Sequence, residues 1–492
     1  MLCYTCKYPP SAGPSEKGRL DFENGSRYNG LSERTGVSVE YINAAISQDT
    51  LTSLCDEFRK NNRIEPEKFE KYQVKRGLRN EDGSGVMAGL TLICNVHGYV
   101  INEGERSPEE GRLTYRGVDI RDLVSGCIAE DRFGYEETAW LLLFGRLPTK
   151  EQLDRYCQML SDCREMPGYF GEDMIVKAPS PNIMNKLARS VLAMYSYDQN
   201  PDDISMENVL RQSVQLMAML PTMMACAYQV KRHHYDRESM FFHPVKPGLS
   251  TAETILYNIR ADSAYTREEA RLLDLCLMLH AEHGGGNNST FAARVLSSSG
   301  TDTYSAMAAA IGSLKGPRHG GANIKVMEML DYIKEGVRDW EDDEEICRFL
   351  EKLILREAGD RSGLIYGMGH AVYTLSDPRA VILKKYAYDL AEKKGFGGEF
   401  RLLEAVERLT PGVFAKVKGN DKAMCANVDL YSGMVYRSLG IDKDLYTPLF
   451  AVARMAGWSA HRIEEILTGG RIIRPAYKAV ARPLPYVPLA DR

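Results

Sequence analysis

Neither sign of charge dominates this chain of 492 residues: 62 lysines and arginines stand against 67 aspartates and glutamates, a net charge of −5 with a pI near 6.1. That balance gives no polybasic surface, so nucleic acid is not expected as a partner, and any anionic substrate must be drawn by local arginines. Closely spaced cysteine pairs are almost lacking. The eleven cysteines are an odd number scattered from Cys3 to Cys425, with Cys127, Cys226 and Cys276 in apolar helical runs. This usage fits free buried thiols in a reducing compartment and not a disulfide framework. Cys3 and Cys6 form the only close pair, half a zinc site with no second pair at a usable spacing, so no metal is expected. An apolar signal core is missing from residues 1–30, and Asp21 and Glu23 argue against an Arg-rich transit helix; a cytoplasmic protein is expected. No membrane span is expected either. The apolar stretch from Ser213 to Val230 is interrupted by Gln215, Pro221 and Gln229 and has no second span to accompany it, so it reads as a buried or subunit-interface helix pair.

What remains is ordinary for a soluble globular protein, 44% apolar and 26% charged, and long enough for two or more domains. Residues 1–38 mix Pro, Gly, Ser, Asn and charge without periodicity and read as a disordered extension. Apolar spacing is helical from Val39 to Phe69, and Gly85 to Val100 is the best strand candidate. Beyond Arg121 the helical period dominates. Met184, Leu187, Val191 and Met194 share one face of a helix that starts after Pro181 and ends before Asn200-Pro201. The acidic run Asp339 to Glu345 reads as a solvated helix start. No internal repeat is evident. The expected fold is all-α, with a small β element near the N-terminus.

Four of the nine histidines lie between Leu279 and Arg379, each close to glycine: His280 and His283 before Gly284-Gly285-Gly286, His319 in Gly-Pro-Arg-His-Gly-Gly-Ala-Asn, and His370 in Gly-Met-Gly-His-Ala-Val-Tyr. Glycine lets the backbone approach a ligand, so these imidazoles are presented and not packed away. A helix over 267–283 puts His280 and His283 near one face, which makes zinc the runner-up chemistry; yet no third ligand follows at a metal spacing, and Glu282 falls elsewhere on the wheel. Pro317 suggests a first helical turn, placing His319 at a helix N-terminus where the neutral imidazole is favoured. Gly367-Met368-Gly369 is not a phosphate-binding P-loop, because no Lys-Ser/Thr follows. Asp429, taken alone, reads as an N-cap or turn aspartate.

The windows Gly316 to Asn323, Gly367 to Arg379 and Asn427-Val-Asp-Leu-Tyr-Ser-Gly433, in this order and at these separations, closely resemble the citrate synthase family. The resemblance runs from about Tyr41 to Arg474 and includes Leu113 to Leu123, Tyr135 to Gly145 and Phe450 to Trp458. It implies a large helical domain (39–320 and 431–492) with an inserted smaller one (321–430), a homodimer packed partly through the Ser213 to Val230 region, and condensation of acetyl-CoA with oxaloacetate followed by thioester hydrolysis. Coenzyme A enters as the thioester co-substrate, with no cofactor and no metal. Carried over residue by residue, Asp429 is the base, His319 the donor to the thioester oxygen and His370 the acid on the ketone. Arg379, Arg454 and Arg474 clamp carboxylates, and His283 contacts oxaloacetate. Gly367, Met368 and Gly369 leave coenzyme A room against the backbone, and Arg474 comes from the partner subunit. Two departures stand out: Ala371 where arginine is common, and Gly-Gly-Gly-Asn-Asn after His283 in place of the more usual Glu-x-Asn. The nearest alternative is 2-methylcitrate synthase acting on propionyl-CoA. A catalytically silent CoA-binding paralogue is opposed by the intact His319, His370 and Asp429.

Overall fold

The computed structural model describes residues 47–62, 64–102, 105–419 and 423–492. The expected extension over 1–38, and with it Cys3 and Cys6, lies outside the described residues. The chain forms two units, Met1–Val86 and Met87–Arg492. In the first, α1 (Gln48–Asn61) begins where Ser47 accepts a hydrogen bond from the Thr50 N–H, and α2 (Pro66–Lys71) begins on a proline that has no N–H to lose.

The second unit opens with an antiparallel meander of β1 (Cys94–Asn102), β2 (Glu105–Tyr115) and β3 (Val118–Asp119). Helices follow throughout: α3 (Ile120–Ala129), α4 (Tyr135–Phe144), α5 (Lys150–Asp162), α6 (Ile183–Ala193), α7 (Met206–Lys231), α8 (Thr251–Ile259) and α9 (Arg267–His280). After the glycine run come α10 (Asn288–Ser298), α11 (Thr303–Lys315), α12 (Ala322–Gly336), α13 (Asp343–Ile354), α14 (Pro378–Lys393), α15 (Gly397–Lys418), α16 (Val428–Ser438) and α17 (Tyr446–Leu467). The expectation of an all-α fold with one small sheet near the start is met. Among the described residues no helix is long and apolar enough to cross a membrane, and the nine described cysteines are free.

Three local readings need correction. The strand begins at Cys94, not Gly85, and Met87, Leu90 and Leu92 before it are exposed because no strand pairs with them. Its partner β2 was not anticipated from Pro108-Glu109-Glu110, residues of low strand propensity; ladder bonds to β1 decide it. Ser213 to Val230 is part of one continuous helix, α7, which tolerates Pro221 inside it. A proline there removes one backbone hydrogen bond, a loss that nineteen buried positions along α7 outweigh.

At the centre is α17, which packs on α4, α7, α9, α10 and α11 and buries every residue from Ala451 to Arg462. The sheet covers one side of the same region. Tyr115, at the end of β2, sends its hydroxyl to the carbonyls of Met278 (3.1 Å) and Glu282 (3.0 Å), tying the meander to the C-terminal end of α9. The hairpin also props the loop before α14. A Cβ at Gly111 would stand 2.0 Å from the Ser376 carbonyl oxygen, and one at Gly98 2.9 Å from that of Val372. Both glycines are therefore needed for close backbone approach. Gly126, inside α3, has open space around it. Gly111→Ala is expected to destabilise the protein by about 1–3 kcal/mol, whereas Gly126→Ala should stabilise it by about 0.5–1 kcal/mol, read as opposite shifts of the urea midpoint. Equal shifts would refute this account of the hairpin contact.

Candidate active site

Helix α9 stops at His280, earlier than the expected 283, so His280 and His283 do not share a helix face. The ring of His280 is fully buried and stacks on Phe450 at 4.3 Å, and neither of its nitrogens has a protein partner. His283 lies in the loop beyond. Its ring meets His370 edge-on at 5.0 Å and Tyr373 at 5.6 Å, and its Nε2 is buried without a protein partner. Glu282 does not fall on a remote face: it is wholly buried and bonded to His461.

His319 sits in the turn before α12, which starts three residues later at Ala322, so the expected first-turn position is not found. Behind its ring stands Ser289, whose backbone N–H (3.3 Å) and Oγ (3.1 Å) both approach Nε2. A backbone N–H can only donate, so Nε2 presents its lone pair and the neutral ring carries its proton on Nδ1. Ser289 is held in turn by the Trp458 indole N–H (3.3 Å) from α17 and by Asn287, the cap of α10. Burial, with the nearby Arg454 charge, brings the His319 pKa down to about 4. The neutral state therefore stems from burial and Arg454, and not from a helix terminus.

The strand-like segment before α16 is stitched to the glycine loop before His370. Gly369 N–H donates to the Cys425 carbonyl (2.8 Å), Asn427 N–H to that of Gly367 (2.8 Å), and the Asn427 side chain to that of Gly369 (2.9 Å). Gly367 and Gly369 have φ of +81° and +87°, and a Cβ at Gly367 would lie 2.9 Å from Leu430 Cα. The glycines thus let the two loops meet. Asn427 caps α16 by accepting from the Asp429 N–H (3.0 Å), fixing Asp429 in the first turn. In the other loop, His370 Nδ1 accepts from the N–H groups of Val372 and Tyr373, both at 3.1 Å. Its neutral form must then carry the proton on Nε2.

Two buried arginines complete the cluster. Arg379 pairs side-on with Asp377 (Nε to Oδ1 3.0 Å, Nη2 to Oδ2 2.7 Å), and Asp377 also caps α14. Arg454, fully buried on α17, donates Nε to the His280 carbonyl at 2.6 Å; its Nη1 and Nη2 have no protein partner. Its charge acts on His280, His283, His319, Asp429 and Arg379. Burial, then Arg379, holds His280 and His283 well below the usual imidazole range. Burial raises Asp429 to about 6 against the opposing pull of Arg379. Arg474 is not brought into this cluster; it is exposed in the extended segment after α17, where the neighbouring Ile473 N–H bonds Ser298 at 3.1 Å. Met368 is partly buried and forms the bridge to Ala426.

The family model described as "Citrate synthase, C-terminal domain" matches residues 82–476. The chain belongs to the citrate synthase family. A citrate synthase of Synechocystis is 32% identical over 412 residues, 83% of this chain and 93% of that relative. A 2-methylcitrate synthase of Corynebacterium glutamicum is 31% identical over 425 residues, covering 85% and 99%. Among solved structures, the citrate synthase of Thermoplasma acidophilum in ternary complex with carboxymethyl coenzyme A and oxaloacetate aligns with a TM-score of 0.68 at 27% identity, over 85% of this chain and 99% of that one.

Within this citrate synthase family member, the supports of the cluster escaped sequence reading. Ser289 and His461 carry no local motif, and the Phe450 to Trp458 window gives Trp458 no role, since each acts across the fold. Asp377 had a usable signal: Asp followed by proline and a helical run is an N-cap. The raised Asp429 pKa has a consequence for stability. Between about pH 4 and 6 the folded carboxyl keeps a proton that the unfolded chain releases, so stability is lost as pH rises through that window. Asp429→Asn removes the penalty. Ligand-free Asp429→Asn protein at pH 8 should be more stable than the parent by on the order of 3 kcal/mol, with the difference vanishing near pH 4 in denaturant titrations. A variant less stable at pH 8 would contradict the assignment of Asp429 to a desolvated position.

Proposed function

We propose that this chain condenses acetyl-CoA with oxaloacetate and hydrolyses the resulting thioester to citrate and CoA. One observation carries the reading: the two terminal nitrogens of the buried Arg454 have no protein partner, and its charge bears on neutral imidazoles and a second arginine, an arrangement suited to a small dicarboxylate. Membership of the citrate synthase family supplies the chemistry. Asp429 removes a methyl proton of the acetyl group, and its raised pKa makes it a stronger base than a solvated carboxylate. His319 donates from Nδ1 to the thioester oxygen as it becomes an enol or enolate, the neutral ring being the donor. His370, whose proton lies on Nε2, donates it to the ketone oxygen as the new carbon–carbon bond forms. Arg379, Arg454 and His283 orient oxaloacetate. Coenzyme A passes over the backbone of Gly367, Met368 and Gly369, and no cofactor or metal takes part. Residues 321–430, carrying His370 and Arg379, act as the smaller domain.

The similarity to a 2-methylcitrate synthase, 31% against 32% for a citrate synthase, favours a second reading with propionyl-CoA. One methylene discriminates by only about 1–3 kcal/mol, so steady-state rates with both thioesters decide between them. No product from either would refute the proposal. His319→Ala and Asp429→Ala should each reduce turnover at least about a hundredfold with the fold retained. With the parent, kcat/KM should fall about tenfold per unit as pH drops below about 6, because Asp429 must be ionised to act. A flat profile from pH 5 to 7 would remove Asp429 as the base.

The exposed Arg474 serves the site of a partner subunit in a homodimer. Mixing His319→Ala and Arg474→Ala chains, each nearly inactive, should then restore about a quarter of the parent activity, since one site of every mixed dimer carries neither defect. No recovery after confirmed subunit exchange would place Arg474 in its own chain's site or in none.

A further inference from the structure

Behind His283 lies a buried polar chain that the reaction itself does not use. His461, about one turn beyond Gly457 on α17, is completely buried. Its Nδ1 faces two donors of Arg294, Nε at 3.1 Å and Nη2 at 2.7 Å. Guanidinium nitrogens cannot accept, so Nδ1 offers its lone pair and the neutral ring carries its proton on Nε2. That proton points at Glu282 Oε1, 3.0 Å away. The same oxygen accepts the Gly284 N–H at 2.5 Å, so a carboxylate from the residue before His283 fixes the backbone on its far side. Arg294 is itself anchored by Glu464 and by Glu465 (2.7 Å), and Glu464 accepts the Leu92 N–H at 2.7 Å ahead of β1.

The packing is as specific as the bonding. A Cβ at Gly457 would come 2.2 Å from Glu282 Oε2 and 2.5 Å from the Ala281 carbonyl, so this glycine is what lets the carboxylate lie against α17. Three consecutive glycines after His283 give the loop little conformational preference of its own. Something else must hold it. Three charged or titratable side chains buried in one line are costly to desolvate, and their mutual hydrogen bonds offset that cost only in this geometry.

We infer that Glu282, His461 and Arg294 form a hydrogen-bonded relay that positions His283 against His370, substituting for intrinsic stiffness in the triglycine loop. This rests on the proposed oxaloacetate site, in which His283 contacts the substrate. Glu282, His461 and Arg294 are positioning residues; none is assigned a contact with the reacting atoms.

The test uses the full-length protein and four variants. Glu282→Leu and His461→Ala break the relay, Glu282→Gln keeps an acceptor at Oε1, and Glu282→Asp keeps the charge but withdraws it by one methylene. Breaking the relay should raise KM for oxaloacetate at least about tenfold with a change of less than about threefold in KM for acetyl-CoA, and Glu282→Gln should recover most of the loss. A purely structural role would lower the active fraction and leave KM alone. If the two truncations fail to fold, Glu282→Asp carries the test with the same expected rise. Oxaloacetate KM values within twofold of the parent, or Glu282→Gln no better than Glu282→Leu, would overturn the inference. Imidazole nitrogen NMR of the ligand-free protein separates this outcome from failure of the functional reading: the His283 signal should shift in Glu282→Asp while that of His319 stays. An unmoved His283 signal sinks the relay whatever the substrate proves to be.

Discussion

Positive charge held out of water is the constraint on which this structure turns. Arg454 is fully buried with both terminal nitrogens lacking protein partners, and Arg379 is buried too, paired with Asp377 and lying over the Tyr373 ring. Desolvating a guanidinium costs several kcal/mol unless hydrogen bonds and opposite charge offset it. The surroundings respond to that field. His280, His283 and His319 are all driven toward the neutral state, and Glu282, despite burial that works to raise its pKa, is held below the usual carboxylate range by His461, Arg454 and the Gly284 N–H. An anionic ligand is the natural complement of such a place, which is why the proposed dicarboxylate site and the electrostatics of the free protein are one subject.

Holding such a cluster requires a rigid frame, and α17 provides it. Arg454, Trp458 and His461 recur along one face of the helix, and through Ser289 and Glu282 they reach the turn of His319 and the loop of His283. Loops on the opposite side are held by backbone contacts instead. Gly98 and Gly111 in the meander and Gly367 beside Leu430 permit approaches that any side chain would block. Rigid helix on one side and glycine-enabled loop contacts on the other leave the rings of His283 and His370 in edge contact.

The sequence by itself determined a good deal. Helical periodicity with Asp, Ser and Thr caps is a local property, so the all-α class and many helix starts were legible, including Asp342 ahead of α13 and Asn182 ahead of α6. The ordered motifs around the Gly-flanked histidines pointed to the chain's family. Tertiary structure decided the rest, because those features rest on interactions between residues far apart in sequence. Strand β2 exists through its ladder with β1, α7 runs through Pro221 because its flanks are buried, and α9 ends at His280 where Tyr115 and Glu282 take over. Glu282 looked misplaced on a helical wheel because the helix had already ended. Its partner His461 stands 179 residues away, and no local pattern encodes a hydrogen bond across that distance.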